Sequence, residues 1–221
     1  LIFPHHENEI AQSCVYNETD KFANYWVHNN LITIDGQKMG KSLNNFINLQ
    51  EFFSGNHIKL ERSYSPMTIR FFILQAHYRG TIDFSNKALQ ASEKGLAKLM
   101  NAMRDLEKLS PSKKSSYNVD TLEKKCFTAM DDDFNTPILI AHLFDGVKII
   151  NSVKAGEKHI TLDGLKKLKS IFHIFVIDIL GLTAEKESSN TEFANKIMEL
   201  ILKLRNNAKS NKDYTTADLI R

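Results

Sequence analysis

The sequence is poor in cysteine and has no long apolar run. Its 221 residues include two cysteines, Cys14 and Cys126, which lie far apart and form no CxxC pair. This spacing excludes a disulfide framework and predicts a reduced, cytoplasmic protein. The sequence also lacks a run of about 18 apolar residues, so we expect neither a membrane-spanning helix nor a membrane partner.

A strong excess of charge of either sign is also missing. The 29 basic and 26 acidic residues leave a formal net charge of +3, which permits nucleic-acid binding without indicating it. Apolar residues make up 42% of the chain. That fraction is enough to build the core of one large domain or of two small ones.

The segment LITIDGQKMGKSLNNF, residues 31–46, joins a short apolar run to a basic loop. The apolar run at residues 31–34 predicts a β-strand, and the Asp-Gly pair after it predicts a tight turn. Lys38 and Lys41 follow, three residues apart, with a further glycine between them. Two ammonium groups on such a loop can hold a phosphate chain and release it. On spacing alone, a solvated hairpin with a basic tip is the commoner explanation.

The segment around HHENE, near the start of the chain, offers possible metal ligands. Pro4 suits the first turn of a helix, and in a helix His5 and Glu9 lie at i and i+4 on one face. An imidazole and a carboxylate are both zinc ligands, although capping and solvating a helix is the commoner role. A metal hydrolase that uses His5, His6 and Glu7 is another alternative. It would need a third ligand and a water-activating geometry, which the sequence does not show.

The remaining segments divide into a few strands and many helices. Residues 25–28 predict a strand paired with residues 31–34, with Trp26 in the core, and we expect the notable strands within residues 1–45. Ser65-Pro66 predicts a helix start. Apolar spacing predicts helices from there on, at residues 85–109, up to Met130, from a Thr136 cap onward, at 161–180 and at 190–208.

Three segments, in this order along the chain, resemble the cysteinyl-tRNA synthetase family of class I aminoacyl-tRNA synthetases: FPHHENEIAQS, KMGKS and MDDDFNTP. KMGKS is similar to the family's KMSKS loop, with Gly40 in place of serine and Asn44 in place of a following glycine. The resemblance implies a ligase that activates cysteine with ATP and magnesium and transfers it to tRNA(Cys). It assigns catalytic roles to Lys38 and Lys41 and ATP binding to Lys41.

The resemblance also implies a metal and a domain order. One zinc ion would be held by His5 and Glu9, with two cysteine ligands upstream of this chain. The implied fold is mostly α, and opens with the end of an α/β, Rossmann-like catalytic domain over residues 1–46. A connector or stem-contact region at 47–84 and a helical tRNA-binding bundle at 85–221 follow.

The chain opens on Leu1 and contains no H-x-G-H motif, which the family carries in the first half of its nucleotide-binding fold. We therefore expect a C-terminal half that is inactive by itself. A non-catalytic helical RNA-binding module is the main alternative, because it would keep the bundle without needing the KMGKS loop.

Overall fold

The structure, a computed structural model, describes residues 2–184, 189–210 and 213–219, with side chains except at 2, 189–196 and 217. Residue 1 of the predicted first domain, and residues 185–188, 211–212 and 220–221 of the predicted last domain, lie outside the described residues. The fold is mostly helical with a small sheet. The strands are β1 (Ile32–Ile34), β2 (Gln37–Lys38) and β3 (Ile82–Phe84). The α-helices are α1 (Glu7–Tyr16), α2 (Leu49–Ser54), α3 (Pro66–Leu74), α4 (Asn86–Lys108), α5 (Val119–Asp131), α6 (Thr136–Lys154), α7 (Leu162–Phe172), α8 (Ser189–Ser210) and α9 (Tyr214–Leu219).

The sheet has the order β2-β1-β3. β1 pairs antiparallel with β2, where Thr33 lies opposite Lys38, and parallel with β3, where Thr33 lies opposite Asp83. The prediction of a strand at residues 25–28 was wrong, because both edges of β1 are occupied by β2 and β3. β3 also lies outside residues 1–45, where the strands were expected.

α3 is shared between two hydrophobic cores. Its Ile69 and Phe72 pack into a smaller core with Ile34 of β1 and Phe84 of β3. Its Phe71 packs into a larger core formed by α4, α5, α6 and α7. α3 begins as predicted, since the Ser65 side chain accepts a hydrogen bond from the Thr68 amide and Pro66 occupies the first turn.

From residue 85 onward, every described element is a helix, as the apolar spacing predicts. Asn135 rather than Thr136 caps α6, because its side-chain oxygen accepts from the Ile138 amide. α7 continues into a π-helical segment, His173–Ile179. None of the described helices is both long and apolar enough to cross a membrane.

Candidate active-site loop and its surroundings

The lysine loop begins with a tight hairpin whose turn is fixed from β3. Asp35 and Gly36 have φ values of 51° and 77°, the left-handed values that a two-residue hairpin turn requires. The Asp83 carboxylate accepts from the Gly36 amide at 2.8 Å and from the Thr33 hydroxyl at 2.6 Å. The turn is therefore anchored to the neighbouring parallel strand as well as to its own hairpin.

Asn45 closes the loop that follows. Its side chain is buried, with 5% exposure, inside an otherwise exposed segment. The amide nitrogen donates to the Lys38 carbonyl at 3.0 Å, and the amide oxygen accepts from the Gly40 amide at 2.9 Å. One buried side chain thus ties the two ends of the KMG segment together, a role that sequence reasoning missed.

Both lysines present their ammonium groups to solvent. Lys38 and Lys41 are exposed, and neither forms an ion pair with any residue that the structure describes. The Lys41 ammonium lies 5.6 Å from the centroid of the Phe46 ring, a cation–π distance. Two cationic groups on this loop therefore remain available to an anion.

The two departures from the KMSKS pattern have little structural effect. Asn44 adopts the left-handed conformation, with φ at 50°, at the position where the family has glycine. A Cβ at Gly40 would lie 3.9 Å from the nearest heavy atom, in ordinary contact with Leu43. The loop could thus accept the family's serine at residue 40.

At the HHENE segment, the structure pairs Glu9 with His6 rather than with His5. α1 begins at Glu7, and His5 lies in the preceding π-helical turn, Ile2–His6. His6 Nδ1 lies 3.2 Å from a Glu9 carboxylate oxygen, whereas the His5 side chain is exposed. Among the described residues, no group of three His, Cys, Asp or Glu side chains is arranged to hold a metal.

His6 belongs to an aromatic cluster. Its ring centroid lies 5.2 Å from that of Trp26 and 5.1 Å from that of His28, and the Trp26 and His28 rings are stacked. These side chains and Glu9 line an open groove of about 680 Å³ that extends to Leu31, just before β1. Trp26 is 39% exposed, so the expectation that it lies in the core was wrong.

A polar junction joins the segment before β3 to the turn between α5 and α6. The Tyr78 hydroxyl donates to one oxygen of Asp133 at 2.6 Å, and Arg79 Nε donates to the other at 2.8 Å. These contacts, first that of Tyr78, lower the pKa of Asp133. Asp133 thus connects the α5–α6 turn to the segment that precedes β3. We call Tyr78, Arg79 and Asp133 the Asp133 junction.

Helices α4, α5, α6 and α7 share one core, and we call them the helical unit. This unit has a groove on α5 and α6 with basic residues in its wall, which we call the basic groove. An open cavity of about 580 Å³ is lined by the basic residues Lys124, Lys125 and His142, and also by Thr121, Thr128, Ala129, Asp132 and Ile138. Ammonium, imidazole and hydroxyl groups are the donors that proteins use against nucleic-acid phosphates. The groove therefore offers donors to an anion beside apolar side chains and one carboxylate, which the small net charge of the chain does not reveal.

Two family models of known proteins match separate parts of the chain. Residues 1–94 match the model of the tRNA synthetases class I (C) catalytic domain, and residues 127–185 match the model of the DALR domain. A protein of Bacteroides fragilis named cysteine--tRNA ligase is 59% identical over 223 residues, which cover 100% of this chain and 45% of that protein.

Two further relatives carry the same name. The protein of Parabacteroides distasonis is 55% identical, and its alignment covers 100% of this chain and 45% of its own length. The protein of Chlorobaculum tepidum is 41% identical, and its alignment covers 99% of this chain and 44% of its own length. The chain thus spans less than half the length of each of these relatives.

Proposed function

Because the chain belongs to the class I cysteine tRNA synthetase family, we propose that the protein containing it is a cytoplasmic cysteine--tRNA ligase. The substrates are L-cysteine, ATP with magnesium, and tRNA(Cys). The observation that carries the proposal is the lysine loop. Two exposed ammonium groups stand on a loop, Lys38 at the end of β2 and Lys41 in the 3-10 turn that follows. Asp83 and Asn45 hold this loop in shape.

The reaction has two steps, and the lysines act in the first. The cysteine carboxylate attacks the α-phosphorus of ATP, and the bond to pyrophosphate breaks, which gives cysteinyl-adenylate. Lys38 and Lys41 stabilise the negative charge that grows on the departing pyrophosphate, and Lys41 also binds ATP. Because the loop is already ordered by its hydrogen bonds, little reorganisation is needed as the charge develops. In the second step, a terminal ribose hydroxyl of tRNA attacks the carbonyl carbon of cysteinyl-adenylate, the bond from that carbon to the phosphate oxygen breaks, and AMP leaves.

His5 and Glu9 are proposed as two ligands of one zinc ion. Imidazole and carboxylate are suitable donors, but a protein zinc site uses at least three such ligands, and His6 is the histidine that contacts Glu9 here. Further ligands would have to come from outside the described residues. A bound zinc ion supplies preference for a thiolate over a hydroxyl, which would separate cysteine from serine.

The proposed domain order follows the chain. Residues 1–46 would complete a Rossmann-like nucleotide-binding domain, 47–84 would form the connector, and 85–221 would bind tRNA through the helical bundle. The shared helix α3 and the basic groove on α5 and α6 support this order. The same groove would also serve a non-catalytic RNA-binding module, but such a module gives the lysine loop no role.

Cysteine-dependent ATP–pyrophosphate exchange by the full-length protein tests the proposal. Lys41→Ala should lower the exchange rate by about a hundredfold, as removal of one preorganised donor does elsewhere, while cysteine affinity stays close to normal. Lys87→Ala, at an exposed lysine on α4, is the matched control and should leave exchange unchanged. Normal exchange in Lys41→Ala would show that this lysine is only a solvated side chain. Binding of tRNA without any exchange would favour the RNA-binding module.

A further inference from the structure

The Asp133 junction lies in a turn with unusual backbone geometry. Asp133 and Phe134 follow one another with φ values of 53° and 54°, both in the left-handed region. Two successive non-glycine residues in this region are uncommon, and such conformations persist where surrounding contacts impose them. The contacts of Asp133 with Tyr78 and Arg79 are of this kind. His77 adds a further contact, because its Nε2 lies 3.2 Å from the Asp133 carbonyl oxygen.

Residues 78 and 79, which contact Asp133, also form hydrogen bonds with the residues just before β1. We call the β1–β2 hairpin, which carries Lys38, the lysine hairpin. The Asn30 amide donates to the Tyr78 carbonyl at 3.0 Å, and the Asn30 side chain donates to the Arg79 carbonyl at 2.9 Å. Leu31, the next residue, accepts from the Ile82 amide at 3.1 Å. A continuous set of hydrogen bonds therefore runs from the α5–α6 turn, through residues 78 and 79, to the start of β1.

Packing does not fill the space beside this connection. A cavity of about 300 Å³ separates α3 and the sheet from the α5–α6 turn, with Ile73, Ile82 and Phe134 in its wall. Phe134 is 57% exposed and Ile73 is 39% exposed. At this end of the molecule, polar contacts rather than close-packed side chains connect the segment before β3 to the α5–α6 turn.

We propose that Asp133 is a positioning residue, which fixes the lysine hairpin relative to the helical unit so that a tRNA held by the helices reaches the adenylate. This inference rests on the proposed function. It assigns Asp133 to the transfer step alone, because formation of the adenylate depends on the hairpin and the nucleotide, and not on where the helical unit lies.

The variants are chosen to remove contacts without straining the turn. Asp133→Asn keeps a residue that tolerates the left-handed conformation but loses the charge that faces Arg79. Tyr78→Phe removes only the hydroxyl that donates to Asp133. Asp131→Asn makes the same charge change two residues away, at a side chain without a hydrogen bond or ion pair in the described part of the chain.

In the full-length protein, Asp133→Asn and Tyr78→Phe should each lower kcat/KM for tRNA aminoacylation by about tenfold through misplaced tRNA. Cysteine-dependent ATP–pyrophosphate exchange should stay within about twofold of wild type. Asp131→Asn should change neither rate. Normal aminoacylation in Asp133→Asn overturns the proposal. An equal fall of exchange and aminoacylation, with a lower melting temperature, also overturns it, because that result describes a residue needed only for folding.

Hydrogen exchange of single amides tests the positioning independently of catalysis. Asp133→Asn should speed the exchange of the Asn30 amide by about tenfold, because opening of residues 78 and 79 frees its acceptor, and Asp131→Asn should not. If the wild-type protein shows no cysteine-dependent ATP–pyrophosphate exchange, the proposed function fails. The hydrogen exchange of the Asn30 amide alone then decides the role of Asp133. An unchanged Asn30 amide in Asp133→Asn overturns that role whatever the enzyme does.

Discussion

Replacing Asn45 should loosen the lysine loop more than any other single change within it. Asn45→Ala removes the donor to the Lys38 carbonyl and the acceptor of the Gly40 amide. Each buried group left without a partner costs about 1–3 kcal/mol. Because the loop lies at the surface, water can replace part of that loss, so we expect about 2 kcal/mol in all. This corresponds to roughly a thirtyfold larger population of the open loop.

Amide hydrogen exchange of Gly40 measures this opening directly. Its protection should fall in Asn45→Ala by about the same factor, since exchange requires the bond to Asn45 to open. Asn44→Gly is the matched control, because it changes the adjacent asparagine, whose left-handed φ of 50° suits glycine. Unchanged protection of Gly40 in Asn45→Ala would refute the reasoning and show that the loop keeps its shape without the buried side chain.

Three further outcomes are expected. In the full-length protein, His5→Ala should lower zinc content by elemental analysis and cysteine affinity together, while His6→Ala spares both; full zinc in His5→Ala would contradict the assignment. Burial raises the pKa of the Cys126 thiol to about 12, so at about pH 8 iodoacetamide should alkylate the partly exposed Cys14 before Cys126; early reaction of Cys126 would refute this. The pKa of Asp133 is lowered by its contacts, so its contribution to the stability of the fold is complete above about pH 4 and is lost as the pH falls through that lowered pKa. An NMR titration midpoint for Asp133 at or above about 4 would contradict its contacts with Tyr78 and Arg79.

The helical part of the fold could be predicted because its signals are local. Apolar spacing and cap residues, such as Ser85 before α4 and Thr161 before α7, mark helices from a few neighbouring residues. The error at the start of α6 was small, since Asn135 and Thr136 are adjacent residues that can both act as caps. The strand proposed at residues 25–28 failed for a different reason. A strand needs a free edge to pair with, and β2 and β3 occupy both edges of β1.

The sequence by itself determined the lysine loop, the hairpin turn and the helices, because each depends on residues within a few positions of one another. Only the tertiary structure decided that β3 would pair with β1, that Asn45 would be buried, and that Asp133 would bind residues 78 and 79. These pairings join segments that are distant in sequence or depend on how the chain encloses a side chain. Closing the long loops between such segments costs conformational entropy, and the hydrophobic cores on both sides of α3 offset that cost.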